Sequence, residues 1–315
     1  MNNQLHQAAV KQAAKGQFRG NKKIRSRYIP LYPESSERQM RRIANSYMKI
    51  ITDELKDAVP EILKIYEQQS RKDSRMDGIS DLRKAISQRF SKAKDSISKK
   101  IEDFSLQDKL DMAAAMIKNT ALREWKKTVR KTLKLELLDD YYQDEMYQEA
   151  IKQWVSEGSD AMGAVPQDLM EQVKDIIETG FMKGTPASQI RKEIQRAYYM
   201  KRTELAHGAA GRVSVLNSEC TRINQEDAGV REYMWVTRRD SRVRKCHATL
   251  DGRYFRWDNP PEMWYETKAK GRVMTGRHCN PGEDYGCRCS AIPRFDIETI
   301  NLPISNPQKG GEKRA

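Results

Sequence analysis

The chain has 315 residues, 32% of them charged and only 38% apolar, with a net charge of +14. That composition suits long amphipathic helices with wet faces and argues against a single compact α/β enzyme core. No apolar run reaches the roughly 18 residues of a membrane span, and the first 20 residues lack the apolar stretch of a secretory signal, so synthesis in a reducing cytoplasm is expected.

Residues 1–33 read as a basic flexible arm: seven Lys/Arg and no acid precede Pro30, among them Lys22, Lys23, Arg25 and Arg27. Residues 34–157 read as an elongated helical body, because they hold one interior Gly (Gly78) and one Pro (Pro60) before Gly158. Helices are expected over 35–70, with a break near Pro60, over 80–100, and from a cap at Ser105 onward. In the third, Leu106, Leu110, Ala113, Ile117, Ala121, Trp125, Val129 and Leu133 recur at steps of three and four, which puts them on one packing face.

The stretch "SEGSDAMGAVP" (156–166) is a hinge by composition. A short helix ended by Gly180 or Gly184 should follow, then a restart at "TPASQI", with Thr185 as cap and Pro186 at the first helical position. A further helix carries "KRTELAHGAAGRVSVLNSECTRI", so 158–228 is expected to be helical. From Gly229 the style changes. "REYMWVT" alternates like a strand, and "LDGRYFRW" reads as a turn at Asp251–Gly252 followed by a second short strand. Residues 229–297 form a small, loop-rich β module with few apolar residues of its own, which should need a staple. Residues 298–315 are a tail. The fold class expected is mainly α with a small α+β C-terminal module.

Candidate chemistry concentrates in that module. His247, Cys279, Cys287 and Cys289, with Cys246 and His278 as alternates, supply enough nitrogen and sulfur for one tetrahedral zinc site. Neighbouring residues point apart, so one member of each adjacent pair should bind. Free structural thiols and a disulfide are the competing readings. Asp240, His247 and Asp251 offer an acid/base set for a nuclease or toxin-type enzyme, although Asp251 before Gly252 already has a role in the turn. Phosphate-loop and dinucleotide motifs are absent. Residues 231–297 carry fourteen basic and nine acidic residues, and Arg238, Arg239, Arg242 and Arg244 join the N-terminal cations as candidates for non-specific DNA contact.

Taken in order, these residues resemble a known family. "RTE" at Arg202–Glu204 is followed by Trp235, Thr237, Asp240, Arg242, Val243, Arg244, His247, Leu250, Asp251 and Gly252, and then by "GCRC" (286–289) with Pro293 beyond. This set is similar to phage Mu F-like minor head proteins, the phage head morphogenesis family, over about residues 160–294. His278 stands nine residues before Cys287, farther than the family pattern, and Gly286 replaces its usual Asn. The resemblance makes 158–297 a Mu F-like domain. It implies a non-enzymatic minor capsid protein of a tailed phage, made in the host cytoplasm and held inside the virion. It also implies association with the portal, with scaffold or major capsid protein, and with double-stranded DNA during procapsid assembly, packaging or ejection. A nucleic-acid-binding protein unconnected with virions is the remaining alternative.

Overall fold

Long helices occupy most of the chain, as the scarcity of Gly and Pro requires. The computed structural model describes residues 10–12, 22–70, 75–138 and 140–304. In chain order the elements are β1 (Lys23–Arg25), α1 (Glu34–Gln69), α2 (Arg75–Phe104), α3 (Leu106–Leu133), a 3-10 turn (Asp144–Tyr147), α4 (Gln148–Gly163), α5 (Val165–Lys183), α6 (Ala187–Asp227), β2 (Glu232–Val236), α7 (Lys245–Leu250), β3 (Tyr254–Arg256), β4 (Glu262–Thr267), β5 (Gly271–His278) and β6 (Ser290–Asp296). The fold is mainly helical with a small C-terminal sheet module, as expected.

Several local expectations change. Pro60 lies inside α1 without ending it. The 156–166 stretch is helical up to Gly163 and again from Val165, rather than an open hinge. The segment from Ala187 to Asp227 is one helix of 41 residues, not two. Ser105 has a left-handed backbone (φ 51°) at the start of α3, and Lys134 (φ 58°) ends it. All eight residues of the α3 stripe are buried. Gly184 closes α5 in the left-handed conformation, where its N–H and that of Thr185 reach back to the last carbonyls of the helix.

The chain forms two compact units, each discontinuous in sequence: Glu37–Ala113 with Val155–Ala210, and Met1–Ser36 with Ala114–Trp154 and Gly211–Ala315. The first is all helix. Tyr47, Ile51, Leu55, Ile62 and Tyr66 of α1 are fully buried, and Tyr66 meets Phe181 of α5 edge-on at 5.3 Å.

The second unit holds both sheets. The larger has four antiparallel strands in the order β1-β6-β2-β3, and β4 pairs with β5 as a separate hairpin. The described part of the expected arm is thus structural: Ile24 pairs with Phe295, and Ser26 is buried. Lys11 lies within the described helical stretch 10–12; residues 1–9 and 13–21 lie outside the described residues. The expected tail is also packed as far as it is described, with Ile300, Leu302 and Ile304 buried and Ile304 bridged to Leu137. Residues 305–315 lie outside the described residues. Phe295 stacks on Trp125 of α3 at 5.9 Å, and Tyr233, Trp235, Leu250, Trp257, Met263 and Ala291 form an aromatic-rich cluster.

Candidate metal centre

The loop between β5 and β6 brings two cysteines to one histidine, and its path is set by its docking on α6. Asn280 accepts the Tyr233 hydroxyl at 2.7 Å, and Pro281 O accepts the Ser218 hydroxyl at 2.7 Å. Gly282 (φ 96°) then passes so close to α6 that a Cβ would sit 2.9 Å from Ser218 Cβ. Cys287 N–H donates to Asp284 O at 2.8 Å, and Gly286 (φ 68°) makes the turn that delivers Cys287 and Cys289.

The other side of the site is the short helix α7. Successive residues of a helix diverge, so Cys246 enters the aromatic cluster while His247 turns to the loop. His247 Nδ1 lies 3.5 Å from Cys287 Sγ and 3.7 Å from Cys289 Sγ, and the three donor atoms fall within 4.8 Å of one another. His247 is 2% exposed and Cys287 3%; Cys289 is half-buried. The remaining candidates face elsewhere. Cys279 packs against the aromatic cluster, and exposed His278 directs Nδ1 to Pro260 O at 2.8 Å.

Asp284 is the residue that sequence reading passed over. Its Oδ2 stands 3.4 Å from His247 Nε2, and its carboxylate takes Arg244 at 2.8 Å and Arg277 at 2.7 Å. The only sequence signal was an acid three residues before Cys287 in a basic module. The His247 ring nitrogen at 3.4 Å and the two arginines hold the Asp284 carboxyl well below the usual range. Burial alone would lower the His247 pKa, but Asp284 and Cys287 outweigh it and raise it to about 9. Hydrogen bonds from Cys289 and His247 push the Cys287 thiol down, while the same pairing pushes Cys289 up.

The donor set fits a metal. A metal would displace the Nδ1 proton of His247 while Nε2–H stays turned to the Asp284 carboxylate, and a readily ionised thiol is the form a metal takes. One nitrogen and two sulfurs are ligand types that zinc accepts, three of the four a structural zinc takes. The same Cys–His–Asp order can activate a thiolate nucleophile, here with Cys287 and His247 both buried.

Asp240 and Asp251 do not join His247 in a cluster. Asp251 accepts Thr237 N–H at 2.7 Å and Arg239 at 3.1 Å, and Asp240 accepts Arg288 at 2.6 Å. The candidate DNA contacts are largely engaged: Lys22 with Glu298, Lys23 with Glu232, Arg239 with Asp251, Arg242 with Asp240 and Arg244 with Asp284. Arg25 points Nη1 at Met234 Sδ (3.7 Å), half-buried Arg238 lies over Tyr32, and Arg27 is exposed.

Comparison with known proteins agrees with the motif order. The sequence profile of the family described as "Phage Mu protein F like protein" matches residues 171–292, the span from α5 to β6 that contains the whole site. A Haemophilus influenzae protein, described as an uncharacterized protein, is 31% identical over 156 residues, covering 49% of this chain and 27% of its own length. The chain therefore spans about a quarter of that relative. No solved structure matches.

Proposed function

From a segment that is phage Mu F-like over residues 171–292, we propose that the chain is a head morphogenesis protein of a tailed bacteriophage. In this reading it is a minor, non-enzymatic component of the virion interior. It associates with the portal and with scaffold or major capsid protein, and it contacts packaged DNA without sequence preference. The observation that carries the reading is the family match itself, which covers the ordered motif from Trp235 to Gly252 and the Cys287/Cys289 pair.

The site supports a structural role. A His/Cys/Cys set, with His247 and Cys287 buried and Cys289 half-buried, would brace this small module if it held a metal, as a structural zinc does. The net charge of +14 favours a polyanionic neighbour, and no helix among the described residues is long and apolar enough to cross a membrane. Host cytoplasm is the compartment of synthesis under this reading.

The test is to tag the chain in a phage that encodes it and to isolate procapsids and virions. The tagged chain should appear in both and co-purify with the portal, and its deletion should leave heads that form but are misfilled or poorly infectious. A chain absent from heads, or a deletion with normal titre, would sink the proposal.

A further inference from the structure

The β4–β5 hairpin is packed against the rest of its unit at one end and tied to α7 by the Lys245–Glu266 ion pair. Met263 is buried in the aromatic cluster and Trp264 packs against it, while β4 and β5 form no ladder with any other described strand. Beyond that anchor the ribbon is exposed, with Tyr265 at 53% and Met274 at 45%. Its tip is a three-residue loop, Lys268–Ala269–Lys270, between the paired residues Thr267 and Gly271. Gly271 supplies the left-handed backbone (φ 62°) such a loop requires, and Thr267 Oγ accepts Lys270 N–H at 3.0 Å.

The charges on this ribbon are unevenly balanced. Lys245 occupies Glu266, Glu262 accepts Gly276 N–H, and Arg277 is held by Asp284. Lys268, Lys270 and Arg272 are exposed, and none has an acidic partner among the described residues. Arg272 lies opposite Glu266 in the ladder, yet its guanidinium rests 4.5 Å from the centre of the Trp264 ring. That stacking holds the cation along the ribbon while leaving its N–H groups to solvent. By contrast, most of the cations nearer the four-stranded sheet are neutralised by neighbouring acids.

We propose that this hairpin, through Lys268, Lys270 and Arg272, is the surface by which the protein contacts double-stranded DNA. The inference deepens the head-protein reading by assigning its DNA contact to particular residues. Charge complementarity selects a phosphate backbone. A two-stranded ribbon is also one of the few protein shapes that a B-DNA major groove, about 12 Å wide, admits. The three cations act on phosphates, so binding is indifferent to sequence and sensitive to salt.

The experiment measures binding of the full-length chain to random-sequence duplex DNA across a salt series. It compares wild type, the triple variant K268Q/K270Q/R272Q, and a charge-matched control, K22Q/R239Q/R242Q. Each phosphate contact contributes about 0.9 to the slope of log K against log salt, so the hairpin variant should lose about 2.7 units of slope and the control less than one. Equal losses in the two variants would mean bulk charge alone and overturn the proposal, as would a hairpin variant that binds like wild type. A wild type that binds polyglutamate but not DNA would also overturn it. None of these results bears on whether the tagged chain is found in phage heads, so the hairpin assignment and the head-protein reading fail separately.

Discussion

The Asp284 carboxylate stands 3.4 Å from Nε2 of His247, the ring nitrogen opposite to the one that meets the thiols. Two arginines from different parts of the module, Arg244 and Arg277, hold that carboxylate in place. The candidate site is therefore built in two layers: Cys287, Cys289 and His247 Nδ1, which together could hold a metal, and behind them Asp284, which faces the opposite ring nitrogen.

Purified without a histidine tag, the protein should carry about one zinc per chain by elemental analysis. Cys287→Ser should abolish stoichiometric binding. Asp284→Asn should retain binding but weaken it about 10- to 100-fold in chelator competition, as loss of an outer carboxylate does. A wild type with less than about 0.3 zinc per chain and a melting curve indifferent to chelator would rule the site out.

Gly282→Ala should destabilise the protein by roughly 1–3 kcal/mol, because the backbone is left-handed there and the new Cβ meets Ser218 and the Ser214 carbonyl. Gly252→Ala is the matched comparison. Its backbone is equally left-handed (φ 78°), but nothing lies within 4 Å of the added carbon. Denaturant titrations should rank Gly282→Ala as clearly the worse of the two. Equal costs would show that the loop does not depend on close approach to α6.

Glu124 should govern part of the acid sensitivity. It is buried on α3 and accepts Tyr28 Oη at 2.5 Å, Leu31 N–H at 3.0 Å and Lys127 Nζ at 2.9 Å. Burial alone would raise its pKa, but these donors outweigh it and hold the carboxyl below its usual value. A depressed folded pKa means stability that is present above the unfolded pKa of about 4.5 and is lost as pH falls through the folded value. Glu124→Gln should cost roughly 1–3 kcal/mol at pH 7, and its deficit against wild type should shrink below about pH 4.5. A deficit independent of pH would contradict this account.

Removing residues up to Ser26 should lower the melting temperature and promote association, since it strips the edge strand from β6 and uncovers Phe295. Ile24→Asp should have the same effect in a full-length chain, where Ile24 alone buries on the order of 1.5–3 kcal/mol of apolar side chain. Melting of either variant within a degree of wild type would mean that β1 is dispensable.

What the sequence disclosed follows from the range over which each signal acts. The α3 stripe and the β2 alternation are local periodicities, and they were legible. So was the turn at Asp251–Gly252, because two residues specify it. β1 was not, because Lys-Ile-Arg has one apolar residue and becomes a strand only by pairing with a partner near the other end of the chain. β6 was hidden by Pro293, which argues against a central strand. Here β1 pairs with residues 294–296, so the missing N–H of Pro293 falls just where that ladder has ended, and its carbonyl still accepts Ser26 N–H at 3.2 Å. The cysteine cluster was visible in composition. His247 was already preferred to Cys246, but dropping Cys279 from the set needed its packing against the aromatic cluster, and Asp284 needed the loop that folds it back on the ring.

The neighbouring positions of β1 and β6 set a timetable for synthesis. Ile24 emerges among the first residues of the nascent chain, and its partner Phe295 follows about 270 residues later. At bacterial elongation rates the first strand waits on the order of 15–50 s for that partner. The helical unit built from Glu37–Ala113 and Val155–Ala210 has left the ribosome well before then. The four-stranded sheet is completed last, and with it the loop that brings Cys287 and Cys289 to His247, so assembly of these three side chains and completion of the sheet belong to the same closing step of the protein's birth.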